Sequence, residues 1–71
     1  MDFELEQKIY DMVTEEDCKM AYNSYLKEVT VNHWYEGECM RIFNKLTDIG
    51  VTCGTPVYDE KNEVWDIPIL S

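Results

Sequence analysis

Apolar residues recur along this chain in two periods. Up to about residue 49 they fall three and four apart, and from Val51 onward they alternate. The first period predicts amphipathic helices and the second a half-buried hairpin. Leu5, Ile9, Met12 and Val13 form one stripe and predict a first helix over residues 3–13, with Asp2 as its cap and Phe3 packed beside it. The alternation from Asp2 to Glu6 also permits a short strand. Thr14 opens a near capping box, with Asp17 where Glu or Gln is preferred. A second helix is then predicted to about Val29, on the stripe Cys18, Ala21, Tyr22, Tyr25 and Val29, widened by Leu26. The β-branched run Val29, Thr30, Val31 should end it or form a short extended piece.

Asn32 is the predicted cap of a third helix, whose buried face is Tyr35, Cys39, Ile42, Phe43, Leu46 and Ile49. Gly37 disfavours helix, so the regular part starts nearer Glu38, and Gly50 closes it in the left-handed position. Val51, Cys53, Thr55 and Val57 alternate against Trp65, Ile67 and Ile69. A three-residue loop, Glu60-Lys61-Asn62 with Asn62 left-handed, pairs Val57 with Trp65, Thr55 with Ile67 and Cys53 with Ile69. Pro56 and Pro68 fall on the outward phase, so both strands read as edges or as paired only once. The expected fold is one α+β domain over residues 1–71: three short helices followed by a C-terminal β-hairpin packed on them. Its expected core is Leu5, Ile9, Tyr22, Tyr25, Leu26, Ile42, Phe43, Leu46, Val57, Trp65, Ile67 and Ile69.

Charge changes the picture more than length does. Fifteen acidic residues stand against six basic ones, a formal net charge of −9. That balance opposes direct binding to nucleic acid or anionic membranes and favours a basic partner. Residues 2–17 concentrate it, with seven acids and only Lys8 as a base. Nine aromatic residues are a generous supply for a chain of 71. Some of them suit an interface, so a homodimer is compatible with the composition. Three cysteines without a CxxC pair suit reduced thiols and a cytoplasmic location. Neither a signal peptide nor a membrane span is visible.

No catalytic, metal or cofactor motif emerges, and the expectation is a protein that is not an enzyme and carries no cofactor. His33 and Glu36 have helical metal-pair spacing, with Glu38 nearby, but no second His exists to complete a site. Cys39 and His33 point to different faces of a helix. The stretch Gly50 to Gly54 lacks the Lys-Ser/Thr pair of a phosphate-binding loop. The order helix, helix, helix, hairpin is also that of a reduced winged-helix domain, in which Arg41 and Lys45 would lie on the recognition helix and Lys61 at the wing tip. The net charge argues against that use.

Carboxylates along the first helix and the start of the second instead imitate a phosphate track, with Glu4, Lys8, Asp11 and Glu15 near one face. In size, charge, free cysteines and lack of catalytic apparatus, the chain resembles the small acidic inhibitors that bacteriophages encode against nucleases, restriction systems and CRISPR effectors. Acidic immunity proteins against nuclease toxins share these traits. The resemblance implies a stoichiometric inhibitor of a basic, nucleic-acid-binding protein. The expected contacts are Asp2, Glu4, Asp11, Glu15, Glu16 and Asp17, with Tyr10 or Trp34 as aromatic anchors. A winged-helix-like DNA-binding or transcription regulator and a homodimeric scaffold are the alternatives.

Overall fold

The computed structural model of the chain describes residues 3–17 and 19–70. The order is α1 (Phe3–Glu16), β1 (Met20–Asn23), β2 (Glu28–Asn32), a 3-10 turn (His33–Glu38), α2 (Cys39–Asp48), β3 (Val57–Asp59) and β4 (Val64–Pro68). The fold is α+β, but not three helices and a hairpin. Among the described residues it has two α-helices packed on one face of a four-stranded antiparallel sheet of order β1-β2-β4-β3. The winged-helix element order disappears with the second helix. β2 and β3 run parallel with β4 between them, so the 3-10 turn and α2 form the crossover of a split unit. No helix of the described residues is long and apolar enough to cross a membrane.

The predicted second helix is a hairpin. Thr14 caps nothing, because its hydroxyl donates to the Tyr10 carbonyl at 2.9 Å and so belongs to α1. The chain leaves α1 through Asp17, which is left-handed at φ 43°. Met20 and Tyr22 on β1, and Val29 and Val31 on β2, then alternate toward the helices. The turn between them is set by Asn23, whose side-chain oxygen accepts the N–H groups of Tyr25 and Leu26, each at 3.0 Å. Lys27 closes the loop at φ 56°.

The second hairpin repeats the device. Asp59 accepts from the N–H groups of Lys61 at 3.0 Å and Asn62 at 3.3 Å, and the left-handed residue is Glu63 at φ 55°, not Asn62. The loop therefore has four residues, 60–63. Val57 pairs with Asp66 and Tyr58 with Trp65, one residue off the expected register. The expected pairing of Cys53 with Ile69 does occur. The two registers differ by one extra residue between Cys53 and Val57, a local bulge. Gly54 lies inside it, and a Cβ there would meet Pro68 Cγ at 2.7 Å. The bulge turns Val57 outward, to 61% exposure.

β4 is a central strand, contrary to the edge expected from its proline. Gly54 N–H donates to the Pro68 carbonyl at 2.9 Å, whereas Ile69 N–H donates to Lys27 on the β2 side. The Pro68 nitrogen thus faces the Gly54 side, beyond the end of β3, and no ladder bond is lost.

Asn32 acts as a cap, accepting from Trp34 N–H at 2.9 Å, but it caps the 3-10 turn. α2 begins at Cys39. Its end is as expected: Gly50 is left-handed at φ 99°, its N–H donates to Thr47, and Val51 N–H reaches back to Leu46. That pair of bonds is a Schellman closure, and it brings buried Val51 onto buried Leu46.

The core comprises Ile9 and Met12 of α1; Cys39, Ile42 and Leu46 of α2; and Met20, Val29, Val31, Val51, Ile67 and Ile69 from the sheet layer. Leu5, Tyr22, Phe43 and Trp65 pack at its margin as partly buried residues. Tyr25 and Leu26, expected inside, are 91% and 59% exposed because they form the tip of the first hairpin.

Candidate functional site

α1 presents different charges on its flanks. Toward β1, Glu6 pairs with Lys27 at 3.1 Å and accepts from the Tyr22 hydroxyl at 3.3 Å. The Lys27 ammonium holds the Glu6 carboxyl below its usual range, while burial first, and then Glu6, push the Tyr22 phenol up. Tyr10 lies on this flank, its ring edge-on to Tyr22 at 5.2 Å, and is 43% exposed.

Toward α2, helical spacing brings Lys8, Asp11, Met12 and Glu15 to one side of an open groove. Lys45, Asp48 and Ile49 form the other side, and the groove holds about 390 Å³. Met12 and Ile49 supply an apolar floor under three carboxylates and two ammonium groups. This suits a long basic side chain, with its stem on the floor and its head among the carboxylates. Asp48 was absent from the residues expected at the site, although it is one helical turn past Lys45.

The end of α1 is tied to α2 by an ion-pair seam. Glu16 is 6% exposed and takes both Arg41 nitrogens, at 3.1 and 2.8 Å, and Lys45 at 3.1 Å. Arg41 also reaches Glu38 at 2.9 Å, Lys19 lies 3.6 Å from Glu38, and Lys45 lies 3.8 Å from Glu15. The Arg41 guanidinium, aided by Lys45, outweighs the burial penalty and holds the Glu16 carboxyl at about 2. The two cations of the supposed recognition helix thus tie α2 to α1 through Glu16.

The residues expected to bind a partner are therefore dispersed. Asp11 and Glu15 share the groove. Glu4 stands exposed in the first turn of α1, and Asp17 is exposed at the helix exit. Glu16 is inside the seam. Trp34 is 78% exposed in the 3-10 turn, its ring 4.8 Å from His33, and does not line the groove. Asp2 lies outside the described residues.

Other chemistry is muted. Burial pushes the thiols of Cys39 and Cys53 up, which keeps them protonated at neutral pH. His33 Nδ1 lies 3.1 Å from the Glu63 carbonyl oxygen. On the face of the sheet away from the helices, Glu28 and Asp66 are half-buried carboxylates absent from the expected site. The polar phase of two alternating stretches, 28–32 and 64–68, signals them, but helical spacing up to Val29 masks the first. No protein-family model, curated protein or solved structure matches this chain.

Proposed function

We propose that this chain is a non-enzymatic binding protein that occludes a basic site on a nucleic-acid-binding partner. The observation that carries the reading is the distribution of its cations. Four of the six basic side chains, Lys19, Lys27, Arg41 and Lys45, are engaged with Glu6, Glu15, Glu16 and Glu38. They stabilise the contacts between elements, and the outward field of a −9 protein is left to its carboxylates. Such a field accelerates encounter with a cationic groove and disfavours nucleic acid itself. Exposed Asp11 on the groove wall would stand in for a phosphate, which makes the proposed action one of mimicry and steric block.

A tagged pulldown from host cytosol, washed in rising salt, tests the reading. Recovery of a basic nucleic-acid-binding protein, released by salt and competed by DNA, is expected. Recovery only of acidic or neutral proteins that resist salt would refute it.

A further inference from the structure

We propose that the uncovered face of the sheet docks an extended segment of the partner carrying lysine or arginine at alternate positions. The inference rests on the reading of the partner as basic and names the surface and the shape it recognises.

Both helices cover one face of the sheet. Of the opposite-phase residues, from Ala21 and Thr30 to Val57 and Val64, none is buried. Three acidic residues occupy one diagonal of register positions on this face, and the carboxylate of the third, Asp59, also accepts from the 60–63 loop. Glu28 of β2 pairs with Pro68, two residues from Asp66 on β4. Asp66 pairs with Val57, two residues from Asp59 on β3. Each step is a diagonal neighbour pair, roughly 7–8 Å. Side chains on one face of an extended chain repeat at about 6.6–6.8 Å, so alternate basic residues match the steps. The positions between the acids are held by Thr30, Val57, Val64 and Pro68.

The electrostatics have the same sense. Burial first, and then Asp66 and Asp59, push the Glu28 carboxyl up; burial and Asp59 do the same to Asp66. Asp59 is fixed as an anion by Asn62 and the loop N–H groups, which hold it below its usual range. A cation brought to this diagonal would relieve the repulsion. Steps of this length are too long for one metal ion to bridge, and no group of three metal-ligating side chains is close enough to hold one among the described residues.

The test uses the isotope-labelled full chain at low salt. Two heptapeptides are added: one alternates threonine and arginine, and its isomer has the three arginines contiguous. The alternating peptide is expected to shift the amides of Thr30, Val57 and Asp66 and to bind about tenfold more tightly than its isomer. Glu28→Gln and Asp66→Asn should each weaken it several-fold, whereas Glu36→Gln, at an exposed carboxylate of the 3-10 turn, should not. Both variants remove a repulsion, so loss of folding is not expected to obscure the result. Shifts confined to α1 and its groove would overturn the sheet-face proposal and leave the basic-partner reading standing. Equal binding of the two isomers would overturn the spacing argument. Binding of neither peptide anywhere would overturn both readings.

Discussion

Glu16→Gln tests whether the seam between α1 and α2 holds the fold by charge. A carboxyl at about 2 against an ordinary 4.5 corresponds to roughly 3.4 kcal/mol, at about 1.4 kcal/mol per pH unit. Arg41 and Lys45 are 44% and 40% exposed, so water screens their side of the interaction. The expected loss at pH 7 is therefore nearer 2 kcal/mol. For a domain of this size that is a fall in Tm of roughly 8–16 °C. The sign of the pH dependence follows from the depressed value. The stabilisation is complete above pH 4.5 and is lost as pH falls toward 2, where wild-type Glu16 is protonated as well. Urea melts of both proteins at pH 7 and pH 3 measure it, and the gap should shrink by more than half at the lower pH. A gap that does not change with pH would mean that the amide disturbs packing. A gap below about 0.5 kcal/mol at pH 7 would mean that the seam contributes little.

Glu63→Gly should stabilise the fold by about 1 kcal/mol in thermal melts, because the left-handed backbone at φ 55° disfavours a side chain and the His33 contacts there are to the Glu63 carbonyl. Gly54→Ala should cost about 1–3 kcal/mol in urea melts, since the new Cβ meets the rigid Pro68 ring at 2.7 Å. Leu46→Ala empties a fully buried position and should cost about 2–5 kcal/mol, enough to abolish the folded amide dispersion in NMR spectra of so small a domain. Asp66→Asn should be more stable than wild type at pH 7. Its advantage should fade as pH falls through the raised Asp66 value, because protonation of the wild type then removes the same repulsion.

How far the sequence could be read depended on the range of the interaction behind each signal. α1, α2, the Gly50 closure and the existence of the last hairpin rest on local periodicity and one glycine, and all are found in the structure. The segment from Cys18 to Val31 is different. Its apolar residues fit both periods, and Asn23 suits a turn as readily as a solvated helix position. Pairing of β2 with β4, more than thirty residues away, selects the strand. Of the candidate groove, only the part carried by one helix was legible in the sequence. Lys8, Asp11 and Glu15 share one helix, so their spacing was visible. Glu16 looked like their neighbour, and only Arg41 and Lys45 arriving from α2 make it a buried anchor.

By itself, then, the sequence determined charge, helical stripes and turn residues, because each acts through bonds or over a few residues. The tertiary structure alone decided that residues 20–32 form strands, the register of the second hairpin and the partner of each ion. Those depend on long-range antiparallel pairing and on packing two helices over one face of a sheet. The physical reason is that a side chain's electrostatic environment is set by whatever the fold brings within a few ångströms, and sequence spacing limits that only inside a single helix or strand.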